Sequence, residues 1–335
     1  MLTPQASLLR WYESHGRHDL PWRTTDDPYH IYVSEIMLQQ TQVKTVLERF
    51  YFPFLETFPT LADVAGSEQD DVLKMWEGLG YYTRARNLHA AARQCNGNLP
   101  KNAHELMQLS GIGRSTAHAI AAFAYKEPLP ILDANVKRIL HRYFALSERN
   151  EKKLWEYAYT LFDPRHPFEY NQAMMDVGAT ICLAKKPLCA LCPFQTDCLG
   201  KDSPLSYPEP KTTKHKPIRQ RSIILYRREN RYALKQRQSR FLHGLWGFVE
   251  IEDTDLGYLD YLGHITQHYS HFTLDADVYL SDEPFSDDAY EWFKLSEITP
   301  LSLSRADHKA ISLLRYNLEK RGVSACLEEL KNTFS

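Results

Sequence analysis

Four cysteines stand within seventeen residues, with the spacing C-x6-C-x2-C-x5-C: Cys182, Cys189, Cys192 and Cys198. Four thiolates this close in sequence can surround one metal centre, and thiolates favour zinc, copper(I) or an iron–sulfur cluster. Disulfide pairs are disfavoured because nothing marks the chain as secreted, and cytosolic thiols stay reduced. Zinc sites usually use two CxxC-like pairs, and ferredoxin runs are spaced differently from this one. The spacing alone leaves zinc and a cluster open.

A Gly-x-Gly turn lies in LSGIGRSTAHAI (109–120), where Gly111 and Gly113 permit tight backbone geometry before an Ala-rich helix. The unpaired amides at the start of that helix form an anion site that suits a DNA phosphate. A plain structural turn is the alternative reading. The DNA reading gains from Asp133, which follows at a distance of one helix plus a loop.

These residues belong to a mainly helical region, since apolar residues recur at helical spacing through about residue 200. They include Val43, Val46, Leu47, Phe50 and Phe54, then Val136, Ile139, Leu140 and Tyr143, then Ala173, Met174, Val177 and Ile181. A polar, Pro-rich and basic linker is predicted over 201–220. Beyond it, RSIILYRR and RYALKQR suggest a hairpin. Strict alternation over 272–280 indicates a half-buried strand, and a last helix is expected from about 305 to 320. The predicted domains are a helical region, 1–200, and an α+β domain, 221–325.

The composition is that of a globular protein, with 43% hydrophobic residues in 335 and a net charge of −2. Bulk charge therefore does not indicate nucleic-acid binding, which must depend on local patches. No apolar run approaches the ~20 residues of a membrane span, and the N-terminus lacks the pattern of a signal peptide. A cytoplasmic protein is expected. Cys95 and Cys326 are interpreted as packed or idle thiols.

The order of hairpin, aspartate and cysteine loop resembles the helix–hairpin–helix DNA glycosylase superfamily. The resemblance narrows to the MutY-type adenine DNA glycosylases through motifs that span about 190 residues. These are LPW (20–22), PYHIYVSEIMLQQTQV (28–43), GLGYYTRARNLH (78–89), ILDANVKR (131–138) and NQAMMDVGA (171–179). Two departures are mild: Ala134 stands where many relatives have glycine, and Ser110 where proline is common.

The resemblance implies a helix–hairpin–helix over about 105–126 and a [4Fe–4S] cluster held by the loop 182–198. It also implies a carboxylate pair. Glu35, in an apolar setting, would hold a proton and deliver it to adenine N7, while Asp133 stabilises the oxocarbenium ion. Asn135 would hydrogen-bond this group, and Ser115 would help to hold the intermediate. From spacing alone, a solvated helix glutamate and a helix-capping aspartate remain open.

Ser115 occupies the position where the similar bifunctional endonuclease III enzymes carry a lysine. That lysine forms a Schiff base before the strand is cut. Serine cannot form an imine, and the neighbouring Arg114 stays protonated. Hydrolysis by water, leaving an abasic site, is therefore expected.

By resemblance, the target nucleotide is flipped out of the duplex. Gln39 and Gln40 would wedge beside the flipped base, and Tyr81 beside the opposing lesion, although Tyr81 and Tyr82 also fit a core aromatic pair. Three residues match the adenine pocket: Leu20, Trp22 and Gln172. Trp22 fits a core role equally well. Phosphate contacts or plain solvated surface are both open for Arg84, Arg86, Lys137 and Arg138.

The C-terminal domain resembles the Nudix-like domain with which the family reads 8-oxoguanine; a generic α+β appendage is the alternative. QHYSHFTL (267–274) matches the lesion-probing loop and provides Ser270 and His271, with Tyr269 in place of the usual phenylalanine. GLWGF (244–248) matches a further segment, with Val249 in place of a proline. The stretch 250–265 lacks the Glu-rich metal helix of Nudix hydrolases, so no pyrophosphatase activity is expected. The basic run 211–221 is a candidate backbone contact.

The predicted function is base-excision repair by a monomer that binds double-stranded DNA and acts at the nucleoid. Adenine opposite 8-oxoguanine, and less well opposite guanine, would be removed hydrolytically. The alternatives are an endonuclease III-like glycosylase/lyase, a thymine- or uracil-mismatch glycosylase, a non-catalytic lesion-binding protein and a Nudix hydrolase with a helical extension.

Overall fold

The structure is a computed structural model that describes residues 2–210, 215–252, 256–283 and 287–321. The chain forms two compact units. One comprises residues up to Gly66 and from Asn87 to the linker; the other comprises Ser67–Arg86 together with the residues after the linker. The boundaries predicted at 200 and 221 remain predictions, but the grouping of Ser67–Arg86 with the C-terminal residues was not anticipated.

Eleven of the described helices lie wholly or mostly outside Ser67–Arg86 and build the helical unit. They are α1 (Pro4–His15), α2 (Pro28–Met37), α3 (Val43–Arg49), α4 (Tyr51–Thr57), α5 (Leu61–Gly66), α7 (Thr83–Gln94), α8 (Ala103–Leu106), α9 (Arg114–Tyr125), α10 (Ala134–Tyr143), α11 (Glu151–Leu161) and α12 (Pro167–Thr180); α6 (Gln69–Met75) belongs to the other unit. The apolar run 43–54 is divided between α3 and α4, because Phe50 leaves helical geometry with φ −125°.

Polar side chains define where several of these helices begin. The carboxylate of Asp133 caps α10 by accepting the Val136 amide, and Asn102 and Asn150 cap α8 and α11 in the same way. Behind α10 lies a core formed with α1, α11 and α12. The predicted apolar positions of α10 and α12 are in it, so the helical period identified the inner faces correctly.

The second unit contains a seven-stranded mixed sheet. Its strands are β1 (Ile218–Arg228), β2 (Arg231–Gln236), β3 (Trp246–Gly247), β4 (Val249–Ile251), β5 (Asp260–His268), β6 (Thr273–Ser281) and β7 (Glu291–Lys294), and they are followed by α13 (Leu295–Ile298) and α14 (Arg305–Lys320). The main order is β3-β2-β1-β6-β5, with β4 on β1 and β7 on β2.

The alternation over 272–280 predicted its strand correctly. Phe272, Leu274, Ala276, Val278 and Leu280 are all buried in the core under α14. The hairpin of β1 and β2 is present, but only Arg227 and Arg228 are in register with β2. The main partner of β1 is β6, in parallel, from Ile218 to Tyr226. Between β4 and β6 the described residues form β5, and the acidic stretch 250–265 includes residues outside the described ranges.

No helix among the described residues is long and apolar enough to cross a membrane. Residues 211–214 of the basic run 211–221, a candidate DNA contact, lie outside the described residues, as does Cys326. Within the described part of the run, residues 218–221 form the start of β1.

Candidate active site and a second cavity

A cavity of about 390 Å³ in the helical unit collects most of the residues predicted to act on the substrate. It opens among the end of α2, the start of α9, the N-terminus of α10 and one face of α12. The predicted residues that line it are Leu20, Trp22, Glu35, Gln39, Ser115, Asp133, Asn135 and Gln172. These positions span more than 150 residues of sequence, and the packing of four helices brings them to one surface.

Glu35 lies on α2, in a helix whose neighbouring side chains are buried. Among the described residues, none forms a hydrogen bond with its carboxyl group. Burial, the largest cause, and the nearby charge of Asp133 together raise the pKa of Glu35 from 4.5 to about 7, against the opposing effect of Arg23. The carboxyl group can therefore hold a proton near neutral pH and release it to a base in the cavity.

Asp133 faces the same cavity but has hydrogen-bond donors. It accepts the Val136 amide at 2.7 Å and the Asn135 side-chain amide at 3.4 Å. Burial raises the pKa of Asp133, while these hydrogen bonds and the charge of Arg138 oppose that rise. Of the two coupled carboxyl groups, Asp133 is therefore the one stabilised as an anion. The sequence left capping and catalysis as alternatives, and the geometry is compatible with both at once.

Asn135 is held by a network behind the cavity. Its Oδ1 accepts from Arg138 at 2.9 Å, and Arg138 also donates to the carbonyl groups of Gly178 and Cys182. A Cβ atom on Gly178 would lie 2.5 Å from Cβ of Asn135. Only glycine therefore lets α12 approach α10 closely enough to leave Asn135 in place.

The Ser115 hydroxyl accepts the Leu132 amide at 3.1 Å, so it joins the first turn of α9 to the strand of chain that leads into Asp133. Lysine is absent from the described residues that line this cavity. The position thus supports the cavity wall, and the wall offers no amine for a Schiff base.

Gln172 is almost fully buried, at 2% exposure, yet its Oε1 atom has no hydrogen-bond partner. A buried acceptor without a donor costs free energy unless a ligand or water supplies one. Because Gln172 lines the cavity, that donor would come from the bound molecule. Trp22 is buried too, with its ring edge-on to Tyr51 at 5.1 Å, so its core role and its place in the wall coincide.

Sequence reasoning missed a buried ion-pair network in the same wall. Asp176 is fully buried and accepts two bonds from the Arg23 guanidinium at 2.8 Å, together with the amide and Nε of Arg17. Both arginines line the cavity. The residues are about 150 positions apart, so local patterns carried no signal for the pairing. A charged residue within the otherwise apolar period of α12 was the available clue.

A second cavity, of about 660 Å³, lies within the sheet unit and is lined by Tyr81, Ser270 and His271. Ser270 and His271 hydrogen-bond each other at 3.1 Å, and His271 packs against Phe241. The Tyr81 ring is 46% exposed, whereas Tyr82 is buried. The core reading therefore applies to Tyr82, and Tyr81 is available at the cavity.

Two of the proposed DNA-wedging residues have left-handed backbone conformations. Gln40 has φ +57° and Tyr81 has φ +52°. Residues other than glycine adopt this region at a cost, and such residues cluster at functional sites. Gln39 lines the cavity of Glu35 and Asp133 and donates to Thr116, whereas Gln40 is exposed and outside both cavities.

Gly111 and Gly113 differ in what they require. Gly111 has φ +74°, and a Cβ there would lie 2.5 Å from Cβ of Asn87, so glycine is needed. Gly113 is extended, has open space around its Cα, and caps α9 without a side chain. The space beside the N-terminus of α9 is therefore open at Gly113.

The cysteine loop is anchored by Phe194, which is buried against Tyr143, and by Arg142 on α10. Arg142 donates to the carbonyl groups of Leu183 and Ala184 and to Sγ of Cys182 at 3.3 Å, and its own carbonyl accepts from Cys198. Burial, with smaller contributions from the other three thiols, raises the pKa of Cys192 to about 12, so these thiols lie within electrostatic range of Cys192.

The donor set is four thiols within one loop, which suits zinc or an iron–sulfur cluster. Within the described ranges, no group of three or more His, Cys, Asp or Glu side chains is arranged to hold a metal ion.

All four basic residues considered for phosphate contact have partners within the protein. Arg84 donates to the Gly80 carbonyl and Arg86 to that of His243. Arg138 is in the Asn135 network, and Lys137 pairs with Glu151 at 3.2 Å. Their geometry supports structural roles.

Known DNA repair proteins are similar to this chain in sequence and in fold. Residues 33–164 match the family described as "HhH-GPD superfamily base excision DNA repair protein". A curated adenine DNA glycosylase of Buchnera aphidicola subsp. Acyrthosiphon pisum is 39% identical over 240 residues, which are 68% of this chain and 68% of that protein. The chain belongs to the adenine DNA glycosylase family. The human adenine DNA glycosylase is 41% identical over 215 residues, 58% of this chain and 39% of the human protein.

The chain matches only part of the length of some of these adenine DNA glycosylases. Another Buchnera relative, from subsp. Baizongia pistaciae, is 43% identical over 199 residues, and the match spans only 56% of its length. A solved thermostable thymine-DNA glycosylase aligns with TM-score 0.55 and 29% identity, over 59% of this chain and 94% of that one. An endonuclease III–DNA complex aligns with TM-score 0.53 at 19% identity, over 62% and 100%. The predicted helix–hairpin–helix glycosylase fold is thereby confirmed.

Proposed function

We propose that the protein is a monofunctional glycosylase that hydrolyses the N-glycosidic bond of adenine mispaired with 8-oxoguanine, and less well with guanine. The observation that carries the proposal is the carboxyl pair. Within the described part of the chain, Glu35 has no hydrogen-bond donor, and its pKa is raised; Asp133 has donors, and both face one cavity. Two carboxyl groups with opposite surroundings are the arrangement expected of an acid and an anion in glycoside hydrolysis.

In the proposed reaction, Glu35 transfers its proton to N7 of adenine, and the bond between N9 and the sugar carbon breaks with its electron pair leaving on the base. Asp133 stabilises the resulting sugar cation electrostatically or through a transient bond. Water then adds to that carbon and gives a proton to the Glu35 carboxylate, which leaves an abasic site and free adenine and restores the protonated acid. Asn135 orients Asp133, and Ser115 holds the wall beside it. The absence of lysine from the described cavity wall supports hydrolysis without strand cleavage.

Adenine recognition would use the unpaired Oε1 of Gln172, because an exocyclic amino group supplies the donor that this atom lacks. Leu20 and Trp22 would stack on or border the flipped base. The amides that begin α9, after Gly111 and Gly113, would bind a phosphate of the target strand. Gln39 and Gln40 would fill the space vacated by the base.

The opposing base would be read in the cavity of the sheet unit. Ser270 and His271 provide donors and acceptors on an exposed loop, and Tyr81 provides an aromatic face across the same cavity. 8-Oxoguanine differs from guanine by a carbonyl group and a ring N–H, which such side chains can bind. A Nudix-like origin of this unit and the lack of pyrophosphatase activity are part of the proposal.

Cys182, Cys189, Cys192 and Cys198 would hold the proposed [4Fe–4S] cluster. When bound, the group would fix the loop that carries Lys185 and Lys186. These two residues are exposed and would contact the DNA backbone. The partner is double-stranded DNA, and the protein would act as a monomer at the nucleoid.

The proposal is tested with protein in excess over duplexes that hold adenine opposite 8-oxoguanine, guanine or thymine, analysed with and without alkali. Strand breaks that need alkali and are fastest opposite 8-oxoguanine are expected. Breaks without alkali would indicate a lyase and overturn the argument from Ser115. If adenine stays intact in every duplex, the proposal fails, and thymine and uracil mismatches become the substrates to examine.

Substitutions of Ser270 and His271 test whether the cavity of the sheet unit recognises the base opposite adenine. Ser270→Ala and His271→Ala should slow excision opposite 8-oxoguanine more than opposite guanine. Equal slowing on both duplexes would remove the sheet unit's cavity from lesion recognition.

A further inference from the structure

The turn that presents Tyr81 is unusual in its backbone. Three of its residues are left-handed: Gly78 at φ +91°, Gly80 at φ +80° and Tyr81 at φ +52°. A turn with this geometry persists only where the surrounding structure determines it. Because the Tyr81 ring is half exposed, its own packing cannot supply all of that constraint.

The constraint comes largely from Glu77, the residue before the turn. Its Oε2 accepts from Nζ of Lys74 at 2.6 Å. Its Oε1 accepts the backbone amide of Leu303 at 3.2 Å and a short hydrogen bond from Nε2 of His308. One carboxylate thus joins the end of α6 to Leu303, which precedes α14, and to His308 in the first turns of α14.

Further bonds between the same two segments surround this contact. Arg305 donates to the carbonyl of Gly78 at 2.9 Å, and Lys74 donates to the carbonyl groups of Thr299 and Leu301. The Tyr82 hydroxyl bonds the carbonyl of Leu303 at 3.4 Å. Glu77 is the only carboxylate among these described contacts, and it receives donors from both segments.

The charge of Glu77 is well supported. Burial alone would raise its pKa, but hydrogen bonds from His308 and Lys74 outweigh burial and lower the pKa. The side chain is only 17% exposed, so solvent screens these bonds less than at a surface pair. Arg84 supports the turn from the other side, with its guanidinium 5.5 Å from the Tyr81 ring and a bond to the Gly80 carbonyl.

We propose that Glu77 is a positioning residue that fixes the turn 78–81 against the start of α14 and thereby sets the Tyr81 ring at the cavity of Ser270 and His271. The proposal rests on the proposed function in assigning that cavity to the base opposite adenine. Glu77 touches neither base; it acts through Tyr81. The sheet unit therefore contributes to recognition through the turn that it holds as well as through its own loop.

A double-mutant cycle on DNA binding tests this relation. Glu77→Gln keeps the shape of the side chain and removes its charge. We expect it to weaken binding to a duplex with adenine opposite 8-oxoguanine about tenfold, within the coupling range of residues in one network. In a Tyr81→Ala background, the same substitution should have almost no effect. Equal losses in both backgrounds would mean a general structural role and overturn the proposal.

Glu297→Gln is the matched control. Glu297 also accepts one backbone amide, from Lys294, and one ion-pair donor, from Arg231, in the same unit, but it does not line the cavity. Glu297→Gln should leave binding to the duplex with adenine opposite 8-oxoguanine unchanged. A loss equal to that of Glu77→Gln would show that any lost ion pair in this unit has the effect, and would also overturn the proposal.

Hydrogen exchange of the free protein separates this inference from the proposed function. Glu77→Gln should speed exchange of the amides in 78–82 at least several-fold, while Glu297→Gln should not. No change in exchange would refute the positioning role even if the wild-type protein removes adenine. If the wild-type protein fails on every DNA substrate, the proposed function falls, and exchange still decides whether Glu77 fixes the turn.

Discussion

At the scale of single residues, Glu35 and Asp133 differ in their hydrogen bonds more than in their burial. Asp133 has a backbone amide at 2.7 Å, and Glu35 has no partner among the described residues. This difference assigns the proton to Glu35 when only one is shared. The consequences can be measured as a rate and as a stability.

Excision should depend on pH through Glu35. Its protonated form is the active one, and its pKa is about 7, so the single-turnover rate should fall as pH rises above 7. Glu35→Gln, which cannot give up a proton, should lose roughly 10²–10⁴-fold in rate and the pH dependence. A wild-type rate that is flat from pH 6 to 9 would contradict this assignment.

Glu35→Gln should also stabilise the folded protein at high pH. The pKa of Glu35 is raised on folding from 4.5 to about 7, so ionisation opposes folding, and stability is lost as pH rises through this interval. At pH 8, Glu35→Gln should increase the free energy of unfolding by at most roughly 3 kcal/mol. At pH 4 the gain should vanish, because the carboxyl group is then protonated in both states. Urea unfolding at the two pH values measures the difference.

At the scale of elements, the close approach of α10 and α12 decides where Asn135 lies. Gly178→Ala would place a Cβ atom 2.5 Å from Asn135, so it should move the side chain that bonds Asp133 and slow excision tenfold or more. Gly66→Ala is the control, because Gly66 ends α5 and has no atom within 4 Å of an added Cβ. Equal rates for the two variants would mean that the helices adjust without loss.

Elements were also where sequence reasoning succeeded and failed most clearly. Helical and alternating periods predicted the inner faces of α10, α12 and β6, because burial of a repeating face leaves a local pattern. The parallel pairing of β1 with β6 has no local sequence pattern, since about 50 residues separate the two strands. Asp176 with Arg17 and Arg23 was missed for the same reason. Most of the predicted cavity residues came from family motifs, which encode packing that periodicity cannot.

At the scale of the whole molecule, each unit has its own core. The core of the sheet unit includes a buried ion pair in which Asp307 accepts from Arg237 at 2.9 and 3.1 Å and from the amide of Phe248. Asp307→Asn should destabilise this unit by about 3–5 kcal/mol, because it leaves a buried charge uncompensated. Amides of β1 and β6 should then exchange faster, while those of α10 and α12 keep their protection.

Asp282→Asn provides the comparison for that experiment. Asp282 pairs with Arg227 on the surface of the same unit, with a side chain 63% exposed, so its loss should cost no more than about 1 kcal/mol. If Asp307→Asn exposes amides of both units equally, the two cores are not separate in their stability.

The left-handed conformations of Gln40 and Tyr81 have a consequence for laboratory evolution. Glycine at either position would relieve a backbone cost of about 1–2 kcal/mol. A library of variants selected only for folding after heating should therefore accumulate glycine at positions 40 and 81. The selected variants should bind mispaired DNA more weakly. At these two positions, a substitution that increases thermal stability should decrease DNA repair.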